Sequence, residues 1–168
     1  MFEIVPERPQ DQVPREELLD VAFGPDRINR ATYRLREGIV PIRALSYVAL
    51  IDGVFQGSLR FWPITLQGAR APILLGPLAV DPAGRGKAVG IALVRNGLHQ
   101  ARRLGHDLVV LVGNHAYYKR FGFIHAARFK LEMPGPVDME RLLIRKIPRG
   151  RIIDVTGPVT RSNDGSNN

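Results

Sequence analysis

Two short segments carry the residues best suited to chemistry. Arg85-Gly86-Lys87-Ala88-Val89-Gly90 follows an apolar run, Ile73 to Val80, and opens a long amphipathic stretch. A strand that passes through a turn of small residues into a helix leaves the first helical amides without partners. Those donors, with the positive end of the helix dipole, suit a diphosphate. Further along comes Asn114-His115-Ala116-Tyr117-Tyr118-Lys119-Arg120-Phe121-Gly122-Phe123, which holds two adjacent phenols. A phenol donates a proton readily to a developing anion. Together the segments indicate a nucleotide-like cofactor with a phenol near its reactive end.

The elements that position these segments follow from periodicity. Phe2 to Val5 suits a short first strand. Pro14 suits the first turn of a helix carrying Leu18, Leu19, Val21 and Ala22. Gly24-Pro25-Asp26 breaks that helix, and a second is expected from Arg27 to Arg36. Leu45 to Ile51 and Val54 to Phe61 read as strands joined by an Asp52-Gly53 hairpin turn. The 73–80 run is apolar on both faces, as in a central strand. A helix from Lys87 to Leu104 carries Ile91, Val94, Leu98 and Ala101 on one stripe and ends at Gly105. Its interior glycines, Gly90 and Gly97, mark places where backbone meets a ligand or a sheet closely. Asp107 to Val112 is a buried strand, 115–121 a short helix, 123–127 a strand, and Leu142 to Ile144 the last one. From Gly157 on the chain is Ser/Asn/Gly-rich, and a mobile tail is expected. The order β-α-α-β-β-β-α-β-α-β-β indicates a mixed α/β sheet.

A chain of 168 residues is one domain by size, taken here as residues 1–150 with an extension and tail over 151–168. Hydrophobic residues make up 45%, which separates it from disordered chains. No apolar run reaches the roughly 18 residues of a membrane span, and the N-terminus lacks the pattern of a signal peptide. Cysteine is absent, which excludes disulfides, thiolate zinc sites and a cysteine nucleophile, and fits a cytoplasmic protein. No cluster has metal-ligand spacing. The net charge of +8 is uneven: residues 1–26 hold seven acids and two bases, and residues 81–151 fourteen bases and five acids. An anionic ligand is drawn to the second half, whether a polyphosphate or a nucleic acid.

The turn and the Tyr-Tyr-x-x-Phe-Gly-Phe segment resemble the GNAT superfamily of acyl-CoA-dependent N-acetyltransferases. The nearest likeness is to a bacterial subgroup with Gly-Pro-Leu-Ala-Val-Asp-Pro before the turn, here Gly76 to Pro82. The family's pyrophosphate loop reads Arg/Gln-x-x-Gly-x-Gly/Ala, and here it is Arg85-x-x-Ala88-x-Gly90. Ala88 is the one clear departure. With helical dihedrals at position 88 alanine is tolerated, although its methyl group still approaches the diphosphate.

The resemblance implies a mixed, mostly antiparallel sheet with a splayed strand pair and flanking helices. It implies acetyl-CoA as co-substrate and direct attack by a primary amine in a ternary complex. Backbone amides from Arg85, Gly86, Lys87, Ala88, Val89 and Gly90 would hold the diphosphate, and Arg85 and Lys87 add charge. Leu78 and Val80 occupy the strand positions whose backbone meets the pantetheine and acetyl carbonyl. Tyr118 matches the family tyrosine that protonates the departing thiolate, with Tyr117 as its competitor. Asn114 either bonds the pantetheine arm or caps a helix. The general base is open among His115, Asp52, Glu37 and a water chain. Acceptor identity belongs to Gly24 to Val40 and the last strands, where Arg27, Arg30, Arg34 and Arg36 suit an acidic acceptor or simply form a solvated face. Small metabolites, protein amines and aminoacyl-tRNA all stand as acceptors, and homodimers are frequent among relatives. A noncatalytic acyl-CoA-binding module and a nucleic-acid-binding domain are the competing readings.

Overall fold

The computed structural model describes residues 2–148, 150–152 and 154–162, without the side chains of 85–87. Its strands, in chain order, are β1 (Phe2–Pro6), β2 (Ser46–Ile51), β3 (Val54–Gln67), β4 (Pro72–Val80), β5 (Leu108–Val112), β6 (Ile124–His125), β7 (Leu131–Glu132), β8 (Leu142–Lys146) and β9 (Thr156–Arg161). The helices are α1 (Gln12–Phe23), α2 (Ala31–Arg36), α3 (Val89–Arg103) and α4 (His115–Tyr118). The strands line up as β1-β2-β3-β4-β5-β8-β6, antiparallel throughout except for the parallel β4–β5 pair. The doubly apolar run is therefore the central strand it was expected to be.

Side-chain alternation sorts this sheet into two buried faces. Ile73, Leu75, Val109, Leu111 and Leu143 enter one core with α3. Leu74, Leu108, Val110, Leu142 and Ile144 enter the other, with Leu35 of α2 and Val159 of β9. Helix α3 meets the first core through Val89, Leu93, Val94, Leu98 and Ala101. The expected stripe thus holds at Val94, Leu98 and Ala101, whereas Ile91 is only partly buried and Leu93 enters the core beside them. Two bonds close the helix at Gly105 (φ 85°): Gly105 N–H to the Arg102 carbonyl and His106 N–H to the Ala101 carbonyl. That is the Schellman arrangement.

Several expectations are corrected. The helix expected over 27–36 is a 3-10 turn, Pro25–Asn29, then α2, because Arg30 is extended between them (φ −74°, ψ 149°). Helix α3 begins at Val89 because Pro82–Lys87 forms a 3-10 turn. The strand expected at 123–127 shortens to β6, and Ala127–Phe129 turns away as a 3-10 turn. The tail expected from Gly157 becomes β9 as far as Arg161, while residues 163–168 lie outside the described ones. Strand β9 pairs with the far end of β3, Ile64 to Gln67, and with β7, and buries Val159. Its sequence is weakly apolar, so the strand is induced by the open β3 edge that it covers.

Gly97 is needed by the packing of α3 on β3. A Cβ there would lie 2.5 Å from a Phe61 ring carbon. Gly97→Ala should therefore destabilise the protein by about 1–3 kcal/mol, although alanine is the better helix former. Urea unfolding of the two proteins measures the difference, and a more stable variant would contradict the packing.

Candidate active site

The site begins where β4 and β5 part. They pair at only three positions, Pro72–Leu108, Ile73–Val109 and Leu74–Val110. On the other side, β4 pairs with β3 as Phe61–Leu75 and then Leu59–Leu78, so Gly76 and Pro77 stand together opposite Arg60. This is a β-bulge, at a proline that has no N–H to give and a glycine with φ 133°. The Trp62 indole pins it by donating to the Gly76 carbonyl at 2.7 Å. The extra residue also flips the alternation. Ile73 and Leu75 enter the α3 core before the bulge, and Leu78 and Val80 pack against that core after it. Ala79 instead joins Leu18 and Leu19 of α1.

The parted strands flank a cleft of about 320 Å³, whose lining includes Leu75 to Leu78, Val112 to Asn114 and both tyrosines. The Tyr118 ring packs edge-on against Phe123 at 5.8 Å and near Phe121 at 6.1 Å. It lies so close to Gly113 that a Cβ there would come within 2.6 Å. Its hydroxyl makes no hydrogen bond to a described residue. Burial, reinforced by Tyr117, pushes that hydroxyl well above the ordinary phenol range. The Tyr117 ring stands at 84° to that of Tyr118 and lies under the Arg120 guanidinium. Its hydroxyl reaches the start of α3, 2.8 Å from where a Gly90 Cβ would be. Burial raises the Tyr117 hydroxyl as well. The two phenols thus serve different stretches of one cleft.

The loop before α3 is built from its own backbone. Asp81 Oδ1 accepts from the Ala83 amide at 2.9 Å and starts the 3-10 turn that contains Arg85, Gly86 and Lys87. The side chains of Arg85 and Lys87, expected as phosphate ligands, lie outside the described residues. Ala88 is helical, but in the left-handed sense (φ 58°, ψ 25°). The tolerance expected for a right-handed alanine is therefore lost, since left-handed geometry costs about 1–2 kcal/mol. No side chain caps α3, and its first helical bond runs from the Ala92 amide to the Ala88 carbonyl. The amides of Val89, Gly90 and Ile91 precede that bond and face outward along the axis. The Val89 side chain is fully buried, so this residue offers only its backbone. Val80 Cγ2 and Leu78 Cδ2 lie 3.5 and 4.0 Å from the Gly90 Cβ position. Asn114 lines the cleft and also caps α4, with Oδ1 accepting from the Ala116 amide at 2.8 Å.

None of the proposed bases lines this cleft. His115 stacks on His125 at 4.2 Å, Asp52 occupies the β2–β3 hairpin turn, and Glu37 lines a neighbouring pocket. No Asp, Glu or His appears among the described residues of the cleft, whereas Arg27, Arg30, Arg36 and Arg141 do. Arg34 instead donates to the Pro134 carbonyl at 2.6 Å. Trp62 and Arg141 escaped sequence reasoning. A lone tryptophan needing an indole acceptor was the available signal for the first. Among the described residues no helix is long and apolar enough to cross a membrane, and no group of His, Cys, Asp or Glu is arranged to hold a metal.

Comparison with known proteins bears on this geometry. The sequence pattern of the Acetyltransferase (GNAT) family matches residues 15–123. The uncharacterized N-acetyltransferase YhbS of Escherichia coli (strain K12) is 32% identical over 155 residues, 91% of this chain and 92% of its own. The crystal structure of YhbS from Escherichia coli in complex with CoA aligns with a TM-score of 0.76 at 29% identity, covering 99% of this chain and 92% of that one. A GNAT family acetyltransferase from Brucella melitensis in complex with acetyl-CoA aligns with a TM-score of 0.69 at 29% identity, covering 97% of each chain.

Ala88→Gly should relieve the left-handed strain and raise stability by about 1 kcal/mol. Thermal unfolding of the variant beside the parent checks this. An unchanged or lower midpoint would mean that position 88 is not left-handed.

Proposed function

This chain belongs to the Acetyltransferase (GNAT) family, and we propose that it transfers an acetyl group from acetyl-CoA to a primary amine by direct attack in a ternary complex. The observation that carries the reading is the hydroxyl of half-buried Tyr118, without a hydrogen-bond partner among the described residues, in the cleft opened by the parting of β4 and β5. The residues fit the donor along its length. The uncapped amides at Val89 to Ile91 suit the diphosphate. The β4 edge beyond Leu74, free of β5, suits the amide-bearing arm. Bound there, acetyl-CoA supplies an activated thioester.

The work of the chain's own residues is positioning and one proton. The cleft walls hold the amine beside the carbonyl carbon, so that the C–N bond forms as the C–S bond breaks. Tyr118 gives its proton to the departing sulfur and regains one from solvent. The raised hydroxyl fits that role because it stays protonated throughout the neutral range. With no Asp, Glu or His lining the cleft among the described residues, the amine enters unprotonated and sheds one of its two protons to water.

Two expectations follow. Tyr118→Phe should lower kcat by about a hundredfold or more while leaving the thermal shift produced by coenzyme A intact. If the parent itself transfers no acetyl group yet still shows that shift, the chain is a noncatalytic acyl-CoA-binding module, a reading favoured by the missing base. The rising limb of kcat/KM against pH should follow the pKa of the amine and move with it from one acceptor to another. Because the Tyr118 pKa is raised, its loss of a proton contributes no falling limb below about pH 10. A limb fixed near neutral pH for every amine would require a titrating base on the protein.

A further inference from the structure

The arginines of the cleft fall into two sets. Arg27 is neutralised by Glu16 at 2.6 Å and Asp20 at 3.1 Å. Arg30, Arg36 and Arg141 have no carboxylate partner among the described residues, and all three line the cleft. Arg36 is the most enclosed of them. It is half-buried, with its guanidinium 5.7 Å from the Tyr33 ring centroid and 5.8 Å from that of Trp62. Burial, with the charges of Arg27 and Arg60, pushes that guanidinium down to about 10. The nearby carboxylates are already committed, Glu16 to Arg15 and Arg27, and Glu7 to Arg15 and Arg60.

An enclosed cation among like charges is unfavourable unless a ligand pairs with it. Under the proposed function the phosphates of the donor belong at the opposite end, beside the start of α3, and the arm that lies in the cleft is uncharged. The neutralising group therefore arrives with the acceptor. A planar guanidinium whose carbon lies within 6 Å of two ring centroids keeps its N–H fork for a carboxylate or phosphate, which it takes in bidentate fashion. The volume of about 320 Å³ is at the small end of ligand sites. From these observations we infer that the acceptor is a small amine bearing its own oxyanion, a carboxylate or phosphate, held by Arg36 with Arg30 and Arg141 at the cleft wall. This rests on the acetyltransferase reading above.

Trp62 is the only tryptophan of the chain, so its fluorescence reports directly on Arg36. With coenzyme A present, the protein is titrated with acetylated products in matched pairs. N-acetylphenylalanine is set against N-acetylphenethylamine, and N-acetylphosphoethanolamine against N-acetylethanolamine. The anionic member of at least one pair should bind tenfold or more tightly than its neutral partner, and the pair that does so tells carboxylate from phosphate. Arg36→Gln should abolish that preference and Arg36→Lys should retain only part of it. Both variants should keep the coenzyme A thermal shift, which shows that they fold. Equal or absent binding of charged and neutral members, or a preference that survives Arg36→Gln, overturns the inference. If coenzyme A produces no shift in the parent, the function itself falls, and this outcome is distinct from the others.

Discussion

Everything in the site depends on the early end of β4–β5 pairing. Three residue pairs bring the strands together, and the bulge at Gly76-Pro77 then turns the rest of β4 to other work. Proline contributes the missing donor, glycine the unusual dihedral, and Trp62 the bond that fixes the kink. One inserted residue has three effects. It opens the cleft, it places Leu78 and Val80 beside the first turn of α3, and it frees Ala79 to seat α1. A straight β4 would continue the ladder and leave no room between the strands. The sheet is thus continuous enough to be stable and interrupted enough to hold a ligand.

The walls of the cleft are held by different forces. On the α3 side the contact is apolar and extensive. On the α1 side the apolar cluster is small, and ion pairs make up the difference. Arg15, 4% exposed, joins Glu7 and Glu16; Glu7 also accepts from Nε and Nη2 of Arg60, and Glu16 also takes Arg27. Burial opposes charge on Glu16, yet hydrogen bonds from Arg15 and Arg27 prevail and hold its carboxyl below the usual range. These charge-assisted bonds fix α1 and the following 3-10 turn to β1 and β3. They also occupy the acids near the α1 wall, and this is why Arg30, Arg36 and Arg141 at the cleft have no carboxylate partner among the described residues.

The strong elements were legible because one local signal sufficed for each. Unbroken apolarity marked β4 and β5, Asp52-Gly53 marked the hairpin, and Gly105 marked the end of α3. The turn and the tyrosine pair were found for the same reason. What escaped reading depends on partners distant in sequence. Strand β9 exists because β3 offers it an edge, and Thr156 to Arg161 alone carry little sign of it. The bulge needed knowledge of pairing on both sides of β4. Nothing in the identity of Ala88 signals the left-handed backbone it adopts. The absence of a base from the cleft likewise required knowing which segments converge there.

Strand β9 also has a bearing on synthesis. The far end of β3, with Ile64 and Leu66 buried in the finished protein, pairs with a segment made almost a hundred residues later. While the chain is still emerging from the ribosome, that end of β3 is an open apolar edge with nothing yet made to cover it. Such edges attract other strands. The nascent chain therefore carries a hazard of aggregation in the interval before residue 161 is released, and a chaperone that attends it has work to do there.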